Sequence, residues 1–245
     1  AGLCGCVLGL SLKSWGFPLP LAILVCIATG LACGALNGVI STKWRLPSFI
    51  VTLGMLEAAR GATYLVSDSR TIYIGAQIES IANTTLLGMP LPFVIALVVV
   101  AAGQIVLSRA KFGRYALAIG ANEQAVRLSG VEPARIKALV FALCGTLAAI
   151  AALIDTSRLA SADPNAGSGF ELQAIAAVVI GGTSLSGGKG SIVNSLLGVL
   201  VIAVLSAGLT QMGAQEPTKR LITGGVIVLA VIVDSIRRRR YAAAT

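Results

Sequence analysis

The sequence predicts an all-α, polytopic membrane protein with about seven crossings, an N-terminal fragment of one more span and a cytoplasmic C-terminus. Three observations lead there. Of 245 residues, 56% are hydrophobic and only 12% charged, whereas soluble domains run at roughly 45–50% and about 25%. Mean hydropathy is +0.89. Apolar runs near the ~20 residues that cross a hydrocarbon core recur along the chain. So little charge cannot cover a compact globule, and disorder is excluded because disordered chains are apolar-poor.

The long runs fall at roughly 18–40, 48–66, 91–108, 137–155 and 192–210, with shorter ones at about 171–186 and 221–236. Residues 1–11 read as the tail of another span. Ala1 already lies inside an apolar run without a basic flank, as expected of a chain lacking its N-terminal part. Pro18, Pro20, Pro47, Pro90, Pro92, Pro133, Pro164 and Pro217 all fall at span edges or in loops. A ring without an N–H donor is tolerated at a helix start and disruptive in its middle.

Loop charge orients the spans, because cytoplasmic loops accumulate Lys and Arg. With Lys43 and Arg45 inside, alternation also puts Arg109, Lys111, Arg114, Arg127, Arg135, Lys137, Lys189 and Arg237–Arg240 inside. Only Lys13, Arg70, Arg158, Lys219 and Arg220 fall outside. This alternation requires 171–186 to cross. The arginine run at the end reads as a stop-transfer signal that also attracts anionic lipid, not as a nucleic-acid site.

Composition removes several chemistries. There is no histidine, so neither an imidazole base nor a histidine metal ligand is available, and no metal site is expected. Cys4, Cys6, Cys26, Cys33 and Cys144 lie in apolar stretches and read as small buried residues.

Ala22, Cys26, Gly30, Gly34 and Gly38 recur every four residues, one helical stripe along which another backbone can approach closely. Asn37 beside it is polar at membrane depth, either an interhelical hydrogen bond or a pathway residue. Glu57 and Arg60, at i and i+3, can pair on one face, as a structural ion pair or as a substrate contact.

Within the longest cytoplasmic loop, about 109–136, the run from Gly120 to Gly130 carries a full set of helix signals. Asn122 suits an N-cap, Glu123 the first turn, Arg127 the last and Gly130 the C′ position. A helix of about seven residues is too short to stand alone in water, so something must hold it. Ala125 and Leu128 offer a small apolar face, for the protein's own span ends or for a cytoplasmic partner. The glycine-rich run Gly181–Gly190 invites a phosphate-loop reading, but the register fails. Six residues before Lys189 stands Thr183, and Gly190 replaces the hydroxyl residue. Following a short apolar helix, it reads as a tight turn or a broken helix lining a cavity, with Thr183, Ser184 and Ser186 as its hydroxyls. The outer loop Arg158–Glu171 is polar and turns at Asp163-Pro164-Asn165.

On three stretches the chain resembles the membrane permease subunit of bacterial ABC sugar importers of the ribose/xylose/arabinose type. These are Leu36–Gly54 (LNGVISTKWRLPSFIVTLG) with Arg60-Gly61; Asn122–Gly130 followed by Arg135-Ile136-Lys137; and Ser161–Gly190 (SADPNAGSGFELQAIAAVVIGGTSLSGGKG). The likeness covers essentially the whole chain and implies a single permease domain over 1–245 with its coupling loop at 109–136. It implies that Asn122, Glu123, Ala125, Arg127, Leu128, Ser129 and Gly130 form a coupling helix docked on a cytoplasmic ABC ATPase. Candidate path residues are Asn37, Glu57, Arg60, Asn165, Thr183, Ser184 and Ser186. The resemblance further implies a second permease subunit, identical or not, a periplasmic or other extracytoplasmic sugar-binding protein, and a place in the bacterial inner membrane. The permease would hold no cofactor, ATP being bound by its partner. Two departures stand out. The family's first spans, with a Gly-Ile-Asp-Leu-Ser-type motif, are not present ahead of Ala1, and Ser206-Ala207-Gly208-Leu209 stands where relatives often have Asn-Asn-Gly-Leu.

Two other classes compete. An ion-coupled carrier or channel would need ionisable groups at mid-depth, for which Glu57 and Arg60 are the candidates. An intramembrane protease lacks a histidine for a Ser-His pair, and Asp155 and Asp234 sit at span ends.

Overall fold

The structure is a computed structural model describing residues 1–228, except 87, 185, 186, 216, 220 and 227 and the side chain of Ala76. In chain order the described elements begin with helices α1 (Gly2–Lys13), α2 (Leu19–Lys43) and α3 (Ser48–Ser67). Strand β1 (Ile72–Tyr73), helix α4 (Ala76–Asn83) and the hairpin β2 (Thr85–Leu86) and β3 (Met89–Pro90) follow. Then come α5 (Leu91–Arg109), α6 (Lys111–Ala121), α7 (Glu123–Leu128) and α8 (Pro133–Leu159). Strand β4 (Ser161–Ala162), α9 (Phe170–Ile180) and α10 (Ile192–Gln211) complete the set.

The long apolar runs all become helices. Five of these, α2, α3, α5, α8 and α10, at 25, 20, 19, 27 and 20 residues, are long and apolar enough to cross a membrane. At 1.5 Å per residue the longest spans about 40 Å. Prolines sit where their ring does least harm: Pro18 and Pro47 precede α2 and α3, and Pro133 opens α8. The run at 171–186 yields a shorter helix than its apolar length suggested. The 11 residues of α9 end at Gly181, beyond which Gly182 takes φ +78° and turns the chain. Residues 221–226 are helical; the rest of the run to 236, with Asp234 and Arg237–Arg240, lies outside the described residues.

Two compact units emerge, 1–97 with 131–168, and 98–130 with 169 onward. In the first, α2 and α8 pack antiparallel. The buried face of α2 is Ala22, Cys26, Gly30, Gly34, Gly38 and Ser41, which contains the whole four-residue stripe read from the sequence. A methyl group on Gly30 would strike the carbonyl oxygen of Gly145, one on Gly34 that of Phe141, and one on Gly38 would lie 2.7 Å from Ala138 Cα. The backbones are as close as chemistry permits. Around this pair the buried cluster Cys4, Leu8, Leu12, Ala22, Cys26, Ile78, Ala149, Ala152 and Leu153 draws in α1 and α4.

Helix α1 is unusual in being buried almost all round, with Leu8, Cys6 and Ser11 among the most enclosed side chains. Ser11 Oγ donates to Val7 O at 2.7 Å, which satisfies a hydroxyl that has no water. The same end of the unit carries the antiparallel β1–β4 pair, Ile72 opposite Ala162 and Tyr73 opposite Ser161. Lys13 Nζ donates to Tyr73 O there at 3.0 Å. Because α2 and α8 run antiparallel, Lys43, Arg45, Arg135 and Lys137 gather at the opposite end, while Lys13, Arg70 and Arg158 share the end with the strands. Within this unit, the charges divide as the loop reading expects.

The second unit is built on α9 and α10, joined through Ala176, Ala177, Ile180 and Ile202. Gly198 lets the carbonyl of Ala177 approach, and Gly181 does the same for Asn194. Helix α5 buries no residue, and 6% of the most apolar window of α3 is enclosed. Such continuous apolar exposure suits lipid or a neighbouring subunit.

Overpacking a well-filled site costs about 1–3 kcal/mol even where side chains can yield. At Gly34 the obstacle is a backbone carbonyl that cannot. Gly34→Leu should therefore remove most monodisperse protein from a detergent gel-filtration profile, whereas Leu24→Ile on the exposed face of α2 should leave it unchanged.

Candidate functional site

The loop at 109–136 is largely helical. Helix α5 ends at Arg109 and the chain turns through Ala110 into α6, an 11-residue helix for which the sequence reading made no provision. Gly113 allows the corner, since a Cβ there would collide with Val106 and Leu107. Asn122, extended at φ −158° and ψ 99°, separates α6 from α7. Its Oδ1 accepts a hydrogen bond from Ala125 N at 3.0 Å, a side-chain cap on one of the free N–H groups of the first turn.

Helix α7 holds six residues, close to the seven inferred from its caps. Glu123 and Arg127 lie 3.8 Å apart across one turn. Ser129 closes the C-terminus, its N–H donating to Ala125 O and its Oγ to Val126 O at 2.7 Å. Gly130 then takes φ +84°, a conformation that disfavours any residue with a Cβ. Capping at both ends makes six residues a defined helix. Val126, 8% exposed, holds α7 to the protein, while Ala125 is exposed and Leu128 is 89% exposed. The apolar face foreseen for docking thus points away from the chain's own helices. Val126 was missed because it sits on the other side of the Ala125–Leu128 stripe.

The glycine-rich segment is a braced turn. Gly182 N donates to Val179 O at 2.8 Å, Ser184 N to Lys189 O at 2.9 Å and Gly187 N to Ser184 O at 3.1 Å. Thr183 Oγ1 lies 3.3 Å from Ser195 Oγ. These N–H groups are engaged within the protein and do not point to a ligand. Ser186, one of the candidate path hydroxyls, lies outside the described residues. Gln104 was not singled out by the sequence, yet its Oε1 accepts from Ile192 N at 3.0 Å and Val193 N at 3.3 Å, with Ser191 Oγ at 3.5 Å. A side chain of α5 thereby caps α10. The signal was an amide in an otherwise apolar run.

The other candidate path residues divide between the units. In the first, Arg60 Nη1 meets Glu57 Oε1 at 3.4 Å, with side chains 40% and 74% exposed. Tyr64, one helical turn beyond Arg60, donates its hydroxyl to Asn165 Oδ1 at 2.8 Å. Asn165 is itself held by Asp163 Oδ1, which accepts from its backbone N at 2.9 Å. Glu57, Arg60, Tyr64 and Asn165 therefore make one polar strip along α3. Asn37 lies on α2 with its Oδ1 enclosed and without a hydrogen-bond partner among the described residues. Thr183 and Ser184 belong to the second unit. Among the described residues no three of His, Cys, Asp or Glu gather as a metal ion would need.

Apolar helices of membrane-crossing length, drawn together through glycine and linked by short capped helices, are the architecture of a polytopic membrane permease. The chain belongs to the family described as "Branched-chain amino acid transport system / permease component", whose model matches residues 1–231. It is 42% identical over 223 residues to the ribose import permease protein RbsC of Escherichia coli (strain K12), covering 87% of this chain and 68% of that one. With the RbsC of Haemophilus influenzae (strain ATCC 51907 / DSM 11121 / KW20 / Rd) it shares 40% over 230 residues, 92% of this chain and 71% of the relative. The xylose transport system permease protein XylH of Escherichia coli (strain K12) is 32% identical over 301 residues, 98% and 77% of the two chains. No solved structure matches.

Replacing an asparagine N-cap by alanine costs about 1 kcal/mol, roughly a fivefold change in a local opening equilibrium. Asn122→Ala should accelerate amide exchange over 123–128 by about that factor, while Asn122→Asp, which keeps the acceptor, should stay near wild type.

Proposed function

We propose that this chain is the membrane subunit of an ATP-driven importer for a monosaccharide or related small polyol, acting as one permease domain in a bacterial inner membrane. The observation that carries the reading is α7, a doubly capped short helix anchored by Val126 and presenting Ala125 and Leu128 outward. A rigid projection with an apolar tip is what a cytoplasmic ATPase needs in order to transmit force. Asn122, Glu123, Arg127, Ser129 and Gly130 keep that projection in shape. ATP-driven closure of the ATPase pair would displace α7 and rock the spans, so that the path opens alternately to either side. ATP and its hydrolysis belong to the partner, and the permease adds no catalytic residue.

The substrate class follows from the relatives, permeases named for ribose and xylose. A second permease subunit would complete the path, and an extracytoplasmic binding protein would deliver the sugar. The strip Glu57–Arg60–Tyr64–Asn165 suits the path, because charge exposed on a long apolar helix must face water or protein. The same pairing speaks against ion coupling: Glu57, the carboxylate of α3, already has a cationic neighbour.

The complete permease, reconstituted with its ATPase and candidate binding proteins, tests the docking. Removing a buried leucine contact costs about 1.5–3 kcal/mol, so Leu128→Asp should weaken ATPase association at least tenfold and abolish uptake. Unchanged association and uptake would overturn the proposal. Screening pentoses, hexoses and polyols for stimulated ATP hydrolysis would name the substrate.

For the strip, Glu57→Gln and Arg60→Gln should each lower sugar uptake about tenfold with the ATPase still bound. The double exchange of Glu57→Arg with Arg60→Glu should not restore it if these groups meet the sugar. Full restoration would mark them as a purely structural pair.

A further inference from the structure

The starting point is how α7 is connected. One residue, Asn122, links it to α6, whose last turn contains Gly120 and Ala121. There α6 meets the glycine-rich turn with no side chain between them. A Cβ on Gly120 would lie 3.2 Å from both Cα and C of Gly187 and closer still to Gly188 N. One on Gly187 would fall 2.9 Å from Gly120 Cα, and one on Gly188 3.0 Å from Ala121 Cα. Gly187 and Gly188 sit at φ +87° and +78°, so the turn needs glycine for its conformation as well as for its clearance. Such a contact is stiff. Side-chain packing can change rotamer under load, but two backbones in van der Waals contact cannot be pressed closer.

The turn is fastened on its other side. Its hydrogen bonds tie it to the end of α9 through Gly182 and Val179, and to α10 through Thr183 and Ser195. A second tie runs in parallel. Gln104, on the helix that leads into α6, accepts from the first N–H groups of α10, and Gly103 beside it admits Ile192. The strip that bears α7 is thus joined to the α9–α10 pair at two places, about 16 residues apart in sequence and by different chemistry.

We propose that the Gly120–Gly187–Gly188 contact is a thrust joint that passes displacement of α7 to α9 and α10, with Gln104 keeping the α10 N-terminus in register. These four are positioning residues for the transport cycle. The inference rests on α7 being the ATPase-docking helix, and its test separates the two. In liposomes containing the complete permease, its ATPase and its binding protein, with ribose and xylose as probes, Gly120→Val should retain the ATPase and its hydrolysis. Sugar moved per ATP hydrolysed should fall at least fivefold, and less for Gly120→Ala. Loss of ATPase association in Leu128→Asp bears only on the docking helix. An assembled Gly120→Val with a wild-type ratio overturns the joint.

The second tie gives a readout that does not depend on Gly120 variants folding. Gln104→Leu should lower the ratio, and Gln104→Glu, which keeps an acceptor at a helix N-terminus, should restore it; equal ratios overturn the assignment.

Discussion

Close backbone approach at glycine governs this molecule. Lipid tails are as apolar as leucine, so helices in a bilayer gain little from hiding hydrophobic side chains against one another. What holds them is dispersion over a large, gap-free contact, together with a few internal hydrogen bonds. The α2–α8 pair shows the solution in its plainest form. Three glycines on α2 and Gly145 on α8 leave carbonyl oxygens where side chains would otherwise stand. The rest of the first unit is arranged around that seam, including the enclosure of α1 and the grouping of like charge at each end.

The second unit repeats the device at smaller scale. Gly198 and Gly181 bring α9 against α10, Gly113 folds α6 back on α5, and Gly120 meets the glycine-rich turn. Contacts without intervening side chains transmit displacement with little loss. On the proposed function, force transmission and tight packing in a membrane ask for the same residue. The N–H groups of Gly182, Thr183, Ser184 and Gly187 in the glycine-rich turn are used to brace it.

Most polar groups follow a second rule, that one away from water needs a partner, with Asn37 Oδ1 and Ser67 Oγ as exceptions among the described residues. Ser11, Thr29, Thr42, Thr63 and Thr146 satisfy it locally by donating to the carbonyl four residues earlier. Gln104 satisfies it by reaching another helix. Glu57 and Arg60 on α3 satisfy it by pairing with one another while staying exposed.

Much was legible beforehand because the relevant signals are local or periodic. Hydropathy placed the five long helices, proline the starts of α2, α3, α5 and α8, and the four-residue spacing of Ala22 to Gly38 the buried face of α2. Asn122, Glu123, Arg127 and Gly130 announced α7, since helix ends are decided by neighbours in sequence. Helix α6 and the small strands escaped notice because a short amphipathic stretch in a loop carries no length signal. That Val126 rather than Leu128 is the inward anchor, that Tyr64 holds Asn165, that Gln104 caps α10 and that Gly120 abuts Gly187 were decided only by the tertiary structure. Each joins residues from about 60 to 100 positions apart, or turns on which side of a six-residue helix meets the protein. Period and composition say how a helix is built and which stripe is small or apolar; they do not say which partner that stripe will meet.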